Sequence, residues 1–361
     1  MHTFVVLAYK ESSYLEECIK SVLNQKYPSK VVIATSTPNQ YIENIADKYS
    51  LAIKVNPNPG KGIGYDFDFA VSCGETELTT VAHQDDIYDY EYSDCIVKAY
   101  LKNPNSLIVF SDYYEIRDKG NVYSNINLKI KRILLLPMRS KKISSTKFGK
   151  RLSLRFGNSI CCPAVTFVID NIKSKDIFKC DFVCDVDWFA WEKLSLKDGK
   201  FTFVNNPLMG HRVHEESTTT EIINDRIRTK EDLVMFQKFW PKFISNLINK
   251  KHIFSSLIVK YLINPFDSVK GLSCFVLSEV LLSFGLSESE SLELHAVTAN
   301  IIVSAKPTVN NFFSIDFLLF YLYIYRFYYK YFFRFNLLFF KFKSYIFLTI
   351  AIFCFYIKLI N

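Results

Sequence analysis

The sequence predicts an α/β fold with a mainly parallel sheet, continued by a helical C-terminal extension. Two observations lead there. Short β-rich runs alternate with helix-length amphipathic runs as far as Asp112, and the composition changes character towards the C-terminus. In chain order, FVVLA (Phe4–Ala8) precedes YLEECIKSVLN, VVIATS precedes QYIENIADKY, and LAIKV precedes a glycine-containing run that ends at Cys73. LTTVAH then precedes YSDCIVKAYL, and LIVFSD follows. In sheets built this way, ligands bind beyond the carboxyl ends of the strands, where the strand-to-helix loops gather. Three loops qualify: Ala8 to Glu11, Ser36 to Pro38, and the adjacent carboxylates Asp85 and Asp86 in VAHQDDIYDYEY.

A surface acidic pair is ordinarily a solvated loop or a helix cap, and Asp86 is placed to cap a helix starting near Tyr88. The position at a strand end gives the pair a sharper meaning. A dinucleotide site is disfavoured, because Gly60, Gly62 and Gly64 are spaced GxGxG and follow the third strand instead of the first. A phosphate-binding Walker loop is excluded by the absence of GK[ST].

The 361 residues suffice for one large domain and a smaller unit. Nine cysteines lack the spacing of a disulfide framework or a structural zinc site, and the N-terminal MHTFVVLAYKES lacks the features of a secretory signal. A reducing cytoplasm is the expected compartment. The net charge of +8 is concentrated at the end: after Ser304 come Lys306, Arg326, Lys330, Arg334, Lys341, Lys343 and Lys358 against the single acid Asp316. We therefore divide the chain into a body at 1–220, a helical connector at 221–307 and an aromatic, basic tail at 308–361.

Several motifs, in order, resemble the family 2 glycosyltransferases of GT-A fold. VVLAYKESSYLEECIKSVLNQKYP is similar to the family's opening strand, loop and first helix, with the ending SVL.Q.YP at Ser21 to Pro28. NPGKGIGYDFDFAVSCGETELTTVAHQDDIY resembles the segment leading into the DxD motif. DVDWFAWEKL (Asp185–Leu194) resembles the acceptor-side helix, and GHRVHEEST (Gly210–Thr218) the closing Arg/His segment. The resemblance covers the body, a length suited to one domain.

That resemblance implies a metal-dependent transferase using a nucleotide-sugar donor, with UDP-sugar the default because it is the commonest donor class. The site must neutralise a departing diphosphate while a base takes the proton of the attacking hydroxyl. Mn²⁺ or Mg²⁺ suits carboxylate and phosphate oxygens. Asp85 takes the metal-binding place of the DxD, and His83 replaces the family's first aspartate, where it contacts the nucleotide, completes the metal shell or is simply a strand-end histidine held by backbone. Asp86, Lys61, Ala8, Tyr9 and Glu11 fall on the donor side. Asp187 stands where the family's base stands, with Asp185 the close alternative; both also fit a plain N-terminal helix acid. His211, Arg212 and His214 are expected on a loop near a strand end, with Arg212 on the diphosphate through its planar fork and His214 on the metal or a phosphate. The acidic residue that commonly holds the base after the second strand is missing from TSTPNQ. Trp191 is assigned to the core and Trp188 is left open.

In the tail, Arg326, Lys330 and Arg334 repeat every four residues, and Lys341 returns to within about 60° after fifteen. This basic stripe on an aromatic helix suits a monotopic seat at an anionic membrane surface. The apolar stretch from Ser344 to Ile357 is shorter than the roughly 20 residues a span needs. The expected partners are a nucleotide-sugar donor, a glycan or lipid-linked acceptor and the membrane, with no nucleic acid. The expected location is the cytoplasmic face of a bacterial inner membrane, in surface-polysaccharide synthesis. A non-catalytic glycan or nucleotide binder of the same fold is the alternative, disfavoured because both Asp85 and Asp187 are present. A nucleotidyltransferase would need a Gly-rich loop after the first strand, and AYKESS has none.

Overall fold

The first strand, β1 (His2–Ala8), sits between β2 (Lys30–Thr35) and β4 (Leu78–His83), parallel to both, and β3 (Ala52–Val55) extends the sheet beyond β2. The computed structural model describes residues 1–174, 176–213 and 225–249. His214, most of the connector and the whole tail stripe lie outside the described residues. Crossover helices α1 (Leu15–Leu23), α2 (Gln40–Tyr49) and α3 (Ile63–Ser72) join the first four strands. Alternation along β1 sends Phe4, Val6 and Ala8 to one face, against Leu15, Ile19 and Ile42, and Val5 to the other, against Phe67 and Val71. Helices on both faces bury both, as expected for a parallel sheet.

The second half is not parallel throughout. The full order is β3-β2-β1-β4-β8-β6-β9-β5, with β7 (Gly120–Val122) a hairpin partner of the long β6 (Ser106–Arg117). The four-residue β8 (Val165–Val168) runs antiparallel between β4 and β6, while β9 (Lys200–Arg212) is parallel to β6. β5 (Ile87–Tyr88) lies antiparallel to β9. This corrects two expectations. Asp86 caps no helix, because the next helix, α4 (Tyr92–Leu101), starts only after β5. His211 and Arg212 belong to the end of β9, not to a loop.

Register fixes where the strand ends fall. Ala8 pairs with Thr35, Leu7 with His83, and Thr35 with Val55, so four carboxyl ends lie level. The pairing Ile87↔Gly210 runs antiparallel, which brings the preceding Asp86 beside the following His211.

Beyond β6 come the helices α5 (Ile126–Leu134), α6 (Lys147–Leu154) and the single turn α7 (Ile169–Ile172), then α8 (Val186–Ser195) and α9 (Asp225–Phe239). Trp188 and Trp191 are both fully buried; Trp188 packs on Phe236 and donates its indole N–H to the Leu154 carbonyl at 3.0 Å. The question left open by sequence is thus settled in favour of core. Among the described residues all seven cysteines are free, and no described helix is long and apolar enough to cross a membrane.

The segment leading into α8 is held from two sides by carboxylates. Asp68 on α3 accepts the backbone N–H groups of Ile177, Phe178 and Lys179 at 2.7 to 2.9 Å. Glu231 on α9 accepts those of Val183, Cys184 and Asp185 at 2.8 to 3.0 Å. Each clamp satisfies donors that the irregular backbone leaves without ladder partners. Asp68→Ala should lower unfolding stability by about 3 kcal/mol, since buried N–H groups are left unpaired. Asp68→Asn should cost less than half as much, and urea unfolding of the two variants gives the comparison.

Candidate active site

The crevice begins where β1 and β4 end. The Gln84 amide spans the gap: its Oε1 accepts the Tyr9 N–H at 2.9 Å and its Nε2 donates to the Tyr9 carbonyl at 3.0 Å. Lys10 then takes a left-handed conformation (φ 54°) and donates its N–H to Thr37, tying this loop to the end of β2. Ala8 is buried, whereas Tyr9 and Glu11 are exposed beside the opening. Lys61 is exposed and lines a 190 Å³ cavity with Asn56, Pro57, Asn58, Tyr65 and Phe69; none of His83, Asp85, Asp86 or Asp187 lines it.

Asp86 has no exposed surface. Its Oδ1 accepts the Arg212 N–H at 2.9 Å and meets His211 Nδ1 at 3.1 Å. Burial alone would raise its pKa, but His211 and the Arg212 N–H overcome that and hold it below the usual carboxylate value. The partner effect is reciprocal: burial would lower the His211 pKa, and the carboxylates of Asp86 and Asp85 raise it instead. Arg212 donates from Nε to the Asp85 carbonyl at 2.9 Å and from Nη2 to Glu17 at 2.6 Å, with its guanidinium 4.4 Å from the Tyr14 ring centroid. The sequence places Arg212 at the site; its fork is occupied by Glu17 and the HQDD backbone.

Two polar atoms of this cluster remain buried with no hydrogen-bond partner: Asp86 Oδ2 and His83 Nε2. The His83 ring is stacked on Phe67, with centroids 5.2 Å apart and planes 14° from parallel. Ligand atoms of His83, Asp85 and Asp86 all lie within 4.8 Å of one another. Orphaned buried acceptors are costly unless something binds them, and an oxygen- and nitrogen-rich trio fits a hard divalent cation. The residues present therefore suit the metal that the DxD-like motif implies, with Asp86 a candidate ligand beside Asp85.

The two candidate bases are separated by their surroundings. Asp187, in the first turn of α8, accepts from Asn158 Nδ2 at 2.6 Å and from the Trp188 N–H at 2.8 Å. Burial raises its pKa, opposed by Asn158, the Trp188 N–H, Lys131 and His83. It thus lies within electrostatic reach of the HQDD histidine. Asp185 instead faces Asp232 of α9 and is pushed up to about 9, first by burial and then by the charges of Asp232 and Asp187.

Three contributors escaped the sequence reading. Lys131 on α5 stands 5.2 Å from the Tyr113 ring centroid, and its charge is felt at Asp187, His211 and Cys161. Asn158 orients Asp187. Asp66, in the first turn of α3, bonds Ser36 and Asn56, which places a carboxylate at the end of β2 where TSTPNQ carries none. Only Asp66 left a signal, as a first-turn acid opening the helix after the glycine run.

The model of the glycosyl transferase family 2 matches residues 3–168. These residues form a family 2 glycosyltransferase domain. The match contains the HQDD tetrad but stops before Asp187 and β9, so those parts rest on the geometry above. No curated protein matches the sequence. Among solved structures, Staphylococcus aureus TarS 1–349 is 12% identical with a TM-score of 0.48, over 78% of this chain and 80% of that one. The same protein in complex with UDP-GlcNAc is 14% identical with a TM-score of 0.49, over the same shares. The mannosyltransferase PcManGT from Pyrobaculum calidifontis, in complex with GDP-Man and Mn²⁺, is 14% identical with a TM-score of 0.50, over 78% of this chain and 79% of that one. The glycosyltransferase domain shares the GT-A fold with it.

The contrast between Asp185 and Asp187 can be measured. A carboxyl whose pKa is raised on folding favours the folded state most below the unfolded value of 3.8, and that contribution is lost as pH rises towards about 9. Between pH 6 and 9 the wild-type chain should therefore lose stability relative to Asp185→Asn, and turnover of Asp185→Asn should stay within a few-fold of wild type. Thermal unfolding across that pH range checks the first part.

Proposed function

We propose that the protein is an inverting glycosyltransferase that moves a sugar from a nucleoside-diphosphate donor, UDP-sugar by default, to a hydroxyl of a glycan or lipid-linked oligosaccharide. The observation that carries this reading is the placement of a buried carboxylate, Asp187, within reach of the His83–Asp85–Asp86 cluster on a family 2 domain. In the reaction the acceptor oxygen attacks the anomeric carbon from the face opposite the diphosphate. The bond to the diphosphate oxygen breaks, and the acceptor proton passes to Asp187. Burial makes Asp187 a better proton acceptor than an exposed aspartate, while Asn158 and the Trp188 N–H keep its carboxylate oriented.

Asp85, Asp86 and His83 are the residues that would hold Mn²⁺ or Mg²⁺, whose chemistry is to neutralise charge on the donor diphosphate. Arg212 fixes the HQDD backbone, and Lys131 adds positive charge near the base. The GDP-Man complex of PcManGT, whose fold this domain shares, supports a nucleotide-sugar donor. Retention of both Asp85 and Asp187 speaks against a binder that has lost turnover. By family resemblance the product belongs to a bacterial surface polysaccharide.

A panel of sugar nucleotides with Mn²⁺, read out as release of nucleoside diphosphate, should identify one preferred donor. Asp187→Asn should then reduce turnover by about 10² to 10⁴-fold with donor affinity retained. Loss of turnover in Asp185→Asn instead would move the base by two residues.

We also propose that the tail, with Arg326, Lys330, Arg334 and Lys341, seats the protein on the cytoplasmic face of the inner membrane. A chain ending at Pro307 should fractionate with membranes more weakly than the full chain and keep donor turnover, as centrifugation and the release assay will show.

A further inference from the structure

The helix α5 is turned the opposite way from an ordinary surface helix. At 100° per residue, Ile126, Lys129, Ile130 and Ile133 fall within one arc of about 100°. Ile126 is 48% exposed, Ile130 43%, and Lys129 is exposed beside them. The opposite side carries fully buried Leu128 and directs its cations inward. Arg132 donates to Asp112 Oδ2 at 2.7 Å and to the Tyr123 carbonyl at 2.8 Å, and Lys131 lies against Tyr113. A helix with isoleucines outward and cations inward lacks the usual reason to form at a water-facing surface.

The charge around it is one-sided. From Lys119 to Ile169 the chain holds eleven Lys and Arg residues (119, 129, 131, 132, 139, 141, 142, 147, 150, 151 and 155) and no Asp or Glu. Lys119, Lys129, Lys141 and Lys142 are exposed and form no ion pair among the described residues. α5 packs with α6 and with the turn at Leu136–Arg139, and Ile143 (42%) before α6 and Phe148 (61%) on α6 are exposed as well.

From this we infer that α5 and its neighbouring turns are a membrane-contact surface of the catalytic domain, fitted to an anionic lipid headgroup layer. Exposed apolar side chains mixed with unpaired lysines match an interfacial boundary, where the apolar groups enter and the cations meet lipid charge. A purely polyanionic partner would use the lysines and leave the isoleucines in water. A second copy of this chain would bring the same positive charge to the same face. The tail is disfavoured as a cover for the same reason, since it too is basic. The surface lies on the domain itself and needs neither the tail nor the donor chemistry. The lipid-linked acceptor of the proposed reaction would meet the same layer, since Lys131, on another side of the same helix, is close enough for its charge to be felt at Asp187.

The experiment uses the full chain and vesicles of phosphatidylglycerol and phosphatidylcholine brominated in the acyl chains. Ile130→Trp places a reporter on α5, and Glu43→Trp, exposed on α2 by the other end of the sheet, is the control. The three native tryptophans supply a background measured on the wild type. The fluorescence of the Ile130→Trp chain should be quenched by anionic vesicles and recover at high salt, while that of the Glu43→Trp chain stays unquenched. Replacing Ile126 and Ile130 by Ser should lower vesicle partitioning about tenfold. Vesicle-bound protein with both reporters equally unquenched would mean that another segment alone holds the membrane, and would overturn the inference. So would a chain that ignores anionic vesicles altogether. Neither outcome touches the proposed transferase activity, which the donor-release assay reads separately.

Discussion

Everything at the ligand end of the sheet hangs on how one buried ion, Asp86, is compensated. A carboxylate out of contact with water loses several kcal/mol of solvation unless charges and N–H groups replace it. Here the replacements come from β9, through the Arg212 N–H and the His211 ring. That exchange joins the strand end of β4 to a strand three places away in the sheet order, by way of the two-residue β5. It also uses only one oxygen of Asp86. The second oxygen and the His83 nitrogen are left facing each other's neighbourhood without partners, and this is what makes the place receptive to a cation.

Much of the first half of this architecture was legible because it is local. LTTVAH and YSDCIVKAYL became β4 and α4 with the same bounds, and QYIENIADKY became α2, since apolar period and helix length decide these elements without tertiary help. The mainly parallel sheet was legible from the alternation, and the strand-end position of Asp85 and Asp86 followed. The antiparallel β8 was not, because a four-residue strand after Pro163 gives no periodic signal and pairs only through contacts distant in sequence. The same limit explains Asp86. Helix capping is a local rule, whereas its actual partners lie more than 120 residues away. Asp68 and Glu231 illustrate the point again: each looks like an ordinary helix acid in sequence, and each closes a loop over 40 residues distant.

Asp187 and the His83–Asp85–Asp86 trio are placed by different means. The trio is set by the end of a central strand, a rigid position. Asp187 is set by the first turn of α8, whose entry is pinned by two carboxylate clamps and whose far side is filled by Trp188 and Trp191. The acidic pair of Asp185 and Asp232 lies where α8 meets α9. The resulting division is chemically economical: strand ends hold charge, and a clamped helix start holds the proposed proton acceptor.

The account stands on the claim that the HQDD cluster, and no other group, receives the cation that holds the donor. Anomalous scattering at the manganese edge, from crystals grown with Mn²⁺ and a nucleoside diphosphate, tests this directly. The account predicts one strong peak at coordination distance, about 2.0 to 2.4 Å, from a carboxylate oxygen of Asp85 or Asp86, with His83 Nε2 beside it. A nucleotide bound in the crevice with no peak there, or a peak held by residues outside His83, Asp85 and Asp86, would contradict it.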